Sequence, residues 1–166
     1  MKIFLVGLVG SGKTTLGRQL AEVLQVPFVD MDWEIEAREG RSISEIFSQN
    51  GEDYFRRIEA ETLRDWAGSN KDFVMGTGGG APCFYNGMDI INESGLSIFL
   101  DVPVDELNLR LAAATDRPLL HTTDDIERKK RLQIMHDARR PIYSKAHIIL
   151  DNVTFENLLR AVRLKT

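Results

Sequence analysis

Eight residues near the start of the chain, Gly7-Leu-Val-Gly-Ser-Gly-Lys-Thr14, constrain its fold more than any other feature. They match the pattern Gly-x-x-x-x-Gly-Lys-Thr in full, after the apolar run Ile3 to Val6 and before Leu16, Leu20 and Leu24 at four-residue steps. A strand entering and an amphipathic helix leaving is the context in which such a P-loop turns its backbone N–H groups inward around phosphate oxygens. The helix N-terminus adds its dipole, Lys13 is placed to reach the β- and γ-phosphates, and Thr14 offers a hydroxyl to Mg²⁺. A glycine-rich turn that merely joins strand to helix would leave the complete spacing and both flanks to coincidence. The pattern points to nucleotide binding and leaves the acceptor open, because switches, motors and kinases all use it.

The rest of the chain alternates in the same way. Val26 to Val29, Phe73 to Met75, Leu96 to Val102 and Ile148 to Leu150 are short apolar runs of the kind buried on both faces of a parallel sheet. Between them, Phe55, Ile58, Thr62 and Trp66 make a helical stripe, Ser42 and Glu45 form a capping box, and Thr154 can cap a last helix bearing Leu158, Leu159 and Val162. The expectation is an α/β protein of three layers, a mainly parallel sheet between helices, as one domain over residues 1–166. No repeat or linker divides it, and the polar or glycine-rich stretches 76–80 and 115–125 are predicted as loops that hold sites.

Composition excludes several functions. At 43% hydrophobic and 28% charged residues the chain has the make-up of a soluble globular protein. Its single cysteine, Cys83, permits no internal disulfide and suits a reducing cytoplasm. The apolar start is stopped by the glycine-rich loop, so it is predicted as a strand and not a signal peptide, and no run is long enough to span a membrane. A net charge of −4 gives no general attraction to nucleic acid, and Arg128 to Arg131 are interleaved with acids as on a solvated helix face. His121, His136 and His147 lack metal-ligand spacing.

Weaker signals follow the strands. The second one ends in Val29-Asp30-Met31-Asp32, so period-two alternation points both carboxylates to one side of the sheet's C-terminal edge, where α/β proteins bind ligands. One can hold Mg²⁺ through its water shell and the other can orient or deprotonate an attacking hydroxyl, although acids after strands are commonly plain turn residues. Arg56 and Arg57 stand beside the apolar stripe, with Glu59 three residues from Arg56; a guanidinium there can grip a carboxylate, and a solvated face accounts for the same residues. Gly78, Gly79 and Gly80 would let a ligand approach bare backbone. Arg117 in a polar loop and Arg139-Arg140 near a helix end are cations that can cover phosphates or an acceptor.

In order along the chain, these segments resemble the shikimate kinases, in the nucleoside-monophosphate-kinase-like branch of P-loop folds. The likeness covers nearly the whole chain: the P-loop, Asp30-x-Asp32-x-x-Ile35-Glu36, Gly40-x-x-Ile43-x-x-Ile46-Phe47, Gly51-Glu52-x-x-Phe55-Arg56-x-x-Glu59, Gly78-Gly79-Gly80-Ala81, Arg117-Pro118-Leu119-Leu120 and Arg139-x-Pro141-x-Tyr143. The resemblance implies a five-stranded parallel sheet, a substrate-binding segment over about 31–60 and a lid over about 112–124. It implies ATP and shikimate as substrates, Mg²⁺ as cofactor, a cytoplasmic monomer, and transfer of the γ-phosphoryl group to the 3-hydroxyl on the path to aromatic amino acids. By motif match, Gly10, Ser11, Gly12, Lys13, Thr14, Thr15 and Arg117 correspond to ATP contacts, with Arg110 near adenine. Asp32, Arg56, Gly78, Gly79, Gly80 and Arg139 correspond to the acceptor site, and Thr14 and Asp30 to the metal site. Lys13, Asp32 and Arg117 are the residues to which the resemblance gives catalytic roles. Arg140 beside Arg139 leaves two candidates for one arginine, and the spacing to Pro141 favours Arg139.

Shikimate carries a carboxylate and three hydroxyls, which fits a cationic fork and an accepting carboxylate. A gluconate-type sugar-acid kinase would serve a related acceptor, and a nucleotide-binding module without phosphotransfer is a rival of another class. The segment from Gly40 to Glu59 speaks against the first, and the acids and arginines against the second.

Overall fold

The computed structural model describes residues 1–113 and 124–166. Strand β1 (Lys2–Val6) lies at the centre of a five-stranded sheet, parallel to β3 (Phe73–Gly76) on one side and β4 (Leu96–Leu100) on the other. Strands β2 (Phe28–Asp30) and β5 (Ile148–Leu150) complete the order β2-β3-β1-β4-β5, all parallel. The apolar run at the start is explained by burial on both faces: Ile3, Phe4, Leu5 and Val6 are all fully buried.

Alternation along β1 divides the core in two. Ile3 and Leu5 meet Leu20 and Ala21 of α1 (Lys13–Leu24) and Leu158 and Val162 of α7 (Phe155–Lys165). Phe4 and Val6 face the other layer, formed by α2 (Met31–Glu39), α3 (Ile43–Ala67), α4 (Gly87–Ser94), α5 (Val104–Ala112) and α6 (Asp125–Tyr143). There Phe73 packs edge-on against Phe4 and Trp66, with ring centroids 5.5 and 5.4 Å away. The chain leaves β1 for β2 on one side and returns from β3 to β4 on the other. The C-terminal edge of β1, where the P-loop begins, is therefore the point at which the strand order reverses and ligand clefts form.

Caps fall where the sequence placed them. Ser42 Oγ accepts from Glu45 N at 3.1 Å and Thr154 Oγ1 from Asn157 N at 3.2 Å. Two strand bounds differ from expectation by more than a single residue. Val26 is not in β2, because its amide is taken by Ala21 O at 3.0 Å as α1 ends through the left-handed Gln25. β4 stops at Leu100, since Val102 N turns back to Leu100 O and Pro103 opens α5. Helices α2 and α4 carried no separate sequence signal. α3 is broken at Gly51 (φ 82°, ψ 174°), so its two halves take different directions.

Candidate active site

The first part of the site is the P-loop itself. Val9 to Leu16, Asp30, Asp32, Gly76 to Gly79, Arg110 and Val153 line a cleft of about 470 Å³, so Gly10, Ser11, Gly12, Lys13, Thr14 and Thr15 all border it. Lys13 Nζ donates to Gly7 O at 2.6 Å and Leu8 O at 2.9 Å, which holds the ammonium across the loop. Arg110 reaches over from α5 and donates to Gly10 O at 2.8 Å while pairing with Glu106 at 2.6 Å. Val153, from the turn between β5 and α7, adds an apolar wall that no motif announced.

The two acids after β2 occupy the cleft for a reason different from the one expected. The strand does not continue through them: Asp30 ends β2 and caps α2, its Oδ1 accepting from Asp32 N at 2.9 Å and Trp33 N at 3.3 Å, and Asp32 lies in the first helical turn. Strand alternation therefore does not set their directions; the cap does. The second oxygen of Asp30 accepts from Thr14 Oγ1 at 3.1 Å, so a hydroxyl and a carboxylate stand side by side at the mouth of the P-loop. Hard oxygen donors of this kind suit Mg²⁺, which keeps most of its waters and leans on one or two protein oxygens and substrate phosphates. Among the described residues no three acidic, His or Cys side chains form a metal cage of their own.

The second part of the site runs along Gly78-Gly79-Gly80, where side chains from three elements close on bare backbone. A β-carbon on Gly78 would come within 2.7 Å of Glu59 Oε2 and 3.3 Å of Asp32 Oδ1. On Gly79 it would meet a guanidinium nitrogen of Arg139 at 3.3 Å, and on Gly80 one of Arg56 at 2.2 Å. The triple glycine is thus a close-approach strip with two carboxylates at one end and two guanidinia at the other.

Arg56 is not on a solvated face, as the bland reading had it. It is 4% exposed, donates to Glu59 Oε1 at 2.9 Å and meets the exposed Glu52 at 3.3 Å, whereas Arg57 is exposed. The adjacent arginines of α6 part likewise. Arg140 pairs with Asp101 at 2.9 Å, whereas Arg139 brings a guanidinium nitrogen to Gly79 beside the hydroxyl of buried Tyr143, which itself donates to Gly79 O. Successive helical residues point about 100° apart, so only one of the pair can face the strip. Tyr143 stands one helical turn after Arg139, a spacing that puts both on the same face of α6. Arg117 and most of the 112–124 lid lie outside the described residues.

Burial also sets protonation. The Glu59 carboxyl is pushed up from 4.5 to about 7, chiefly because it is removed from water and secondarily by the charge of Asp32, against the opposing pull of Arg56. Burial pushes the Cys83 thiol up to about 11. The sign of the Glu59 effect on stability follows. Between pH 4.5 and about 7 the folded chain holds a proton there that the unfolded chain has released, so this residue's contribution to stability falls as pH rises through that window. Glu59→Gln should flatten that part of the curve of urea midpoint against pH. An unchanged slope would show that Glu59 titrates in its ordinary range.

Comparison with known proteins gives a consistent result. Residues 9–162 match the family model for shikimate kinase. The shikimate kinase of Bacteroides fragilis is 42% identical over 150 residues, which cover 90% of this chain and 83% of that protein. The crystal structure of shikimate kinase from Bacteroides thetaiotaomicron superposes with a TM-score of 0.90 at 37% identity, covering 99% of this chain and 97% of that one. That of shikimate kinase from Acinetobacter baumannii in complex with shikimate gives 0.89 at 32% identity, covering 99% and 91%.

Proposed function

The chain belongs to the shikimate kinase family, and from that premise we propose that it transfers the γ-phosphoryl group of ATP to the 3-hydroxyl of shikimate. The observation that carries the acceptor is the strip of Gly78 to Gly80, with carboxylates over one end and guanidinia over the other, opening onto the P-loop cleft. A molecule with one carboxylate and several hydroxyls matches that separation of charge.

The assignment of roles follows the same geometry. Arg56 and Arg139 bind the carboxylate, and Asp32 accepts from the hydroxyl that attacks. The P-loop amides and Lys13 hold the polyphosphate, and Arg110 with Val153 flanks the base. Thr14 and, through water, Asp30 would hold Mg²⁺, which when bound offsets charge on the phosphate oxygens. In the reaction the 3-hydroxyl oxygen bonds to the γ-phosphorus, the bond to the β–γ bridging oxygen breaks, ADP leaves and the hydroxyl proton passes to Asp32. Little covalent chemistry falls to the protein, so rate comes from positioning and charge complementarity. The single, half-buried Cys83 suits a reducing cytoplasm, and a monomer is what the family resemblance implies.

ADP release coupled to a spectrophotometric assay, with shikimate, gluconate or no acceptor, tests the reading. Release that depends on shikimate alone is expected; equal rates with gluconate, or rates that ignore the acceptor, would overturn it. Arg56→Lys should raise the KM for shikimate about tenfold or more and leave that for ATP nearly unchanged, because a point charge lacks the fork that binds a carboxylate bidentately. Equal rises in both constants would make Arg56 structural.

A further inference from the structure

Glu59 and Glu52 accept from three of the five N–H groups of Arg56, and a guanidinium also has two faces. Bidentate capture of a carboxylate depends on where that plane lies. One ring close to it, Phe55 with its centroid 5.2 Å from Cζ, is the preceding residue of α3, packs on Phe47 at 4.8 Å and belongs to the core. The other comes from elsewhere: Phe84 lies 4.4 Å from Cζ, immediately after the short 3₁₀ turn Ala81–Cys83 that leaves the glycine strip.

Phe84 is 37% exposed and belongs to neither core cluster, yet its backbone is tightly fixed. Gly87 N donates to Phe84 O at 2.9 Å, and Arg64 donates to Tyr85 O at 3.4 Å. Tyr85 and Asn86 both take left-handed conformations, φ 50° and 59°, and a β-carbon on Gly87 would come within 1.8 Å of Ala81 O. Left-handed backbone at two successive non-glycine residues costs on the order of 1 kcal/mol each and persists only where the surroundings enforce it. What this turn places is the Phe84 ring on the guanidinium.

We propose that Phe84 is a positioning residue for acceptor binding: its ring fixes the plane of the Arg56 guanidinium, and so the direction from which the acceptor's carboxylate is taken. The proposal rests on the reading of Arg56 as a ligand of that carboxylate. A cation over an aromatic face is attracted by the ring quadrupole, and the attraction is larger where water is excluded, as at this buried arginine. An aliphatic side chain of similar size fills the space without directing the charge. Because Phe84 acts through Arg56, its loss should weaken acceptor binding and leave the nucleotide side untouched.

The experiment is steady-state kinetics on the full chain with Phe84→Leu, Phe84→Tyr, Arg56→Lys and the Phe84→Leu/Arg56→Lys pair, beside thermal melting. Phe84→Leu should raise the KM for shikimate about three- to tenfold, with the KM for ATP and the melting temperature nearly unchanged. Phe84→Tyr should restore the wild-type value, and in the double variant the Phe84 effect should largely vanish, as coupled sites require. If Phe84→Leu leaves the shikimate KM unchanged while Arg56→Lys raises it, the proposal falls and the acceptor reading stands. Equal losses in the Leu and Tyr variants, or a joint rise of both KM values with a lower melting temperature, also overturn it. An Arg56→Lys variant with an unchanged shikimate KM removes the premise, and the proposal with it.

Discussion

Lys13→Met should lower kcat by about 10³-fold or more and leave the melting temperature close to that of the unaltered chain. The ammonium lies across the P-loop, bonded to Gly7 O and Leu8 O, at the start of the helix whose amides face the cleft. A positive group preset where phosphoryl charge builds up needs no reorganisation during transfer, and catalysis of this kind has few other sources of rate. Methionine keeps the stem and removes the charge. Lys13 itself lines an open cleft, so water entering there can take up the bonding that the Gly7 and Leu8 carbonyls lose, and the fold should survive. ADP release and circular dichroism on the same preparation separate the two effects. A well-folded Met variant with undiminished turnover would mean that this loop is not the phosphate cradle.

That loop was legible because its chemistry is local: glycines, Lys13, Thr14, the strand before and the helix after are contiguous, and backbone geometry alone makes the cradle. The sheet was legible for a related reason. Parallel strands covered on both faces read as short apolar runs, as β1, β3 and β4 do; the edge strand β5 was found as an apolar run too, although it is not buried on both faces and leaves Ile149 47% exposed. Strand ends were less so, since what ends β2 on its N-terminal side is the cap of the preceding helix, which claims the Val26 amide.

The glycine strip, proposed above as the acceptor end, was legible as a set of residues and not as a geometry. Arg56 was ambiguous from sequence because the broken helix that carries it turns at Gly51, and only that turn puts Arg56 under the glycine strip while Arg57 stays outside. Asp101 settles which of Arg139 and Arg140 faces the strip, and it lies 39 residues from Arg140. Phe84 had no signal at all. A ring in a loop becomes meaningful only when a guanidinium from another helix is found over its face, and no local pattern encodes that meeting.

Asp32→Asn should cut kcat by about 10²- to 10⁴-fold, the range that a positioned acid or base contributes, with a smaller change in the KM for shikimate. Asparagine keeps size and shape and removes charge and basicity. The residue stands in the first turn of α2 with its amide on the Asp30 carboxylate, so the backbone should hold its place, with only a few tenths of a kcal/mol lost from the helix dipole. Magnitude alone does not separate a base from a group that only orients the hydroxyl, since a loose transition state needs little proton abstraction before the phosphorus–oxygen bond breaks. The pH profile of kcat does. A base required in the ternary complex gives the profile an acidic limb that the Asn variant lacks. Glu59 complicates this, because it shares Gly78 with Asp32 and titrates near 7, partly through the charge of Asp32. If Glu59 produces the limb, it survives in Asp32→Asn and shifts to lower pH as the neighbouring charge disappears; if Asp32 produces it, it vanishes. An Asn variant that keeps most of the wild-type kcat at saturating shikimate would place the reacting hydroxyl away from Asp32 altogether.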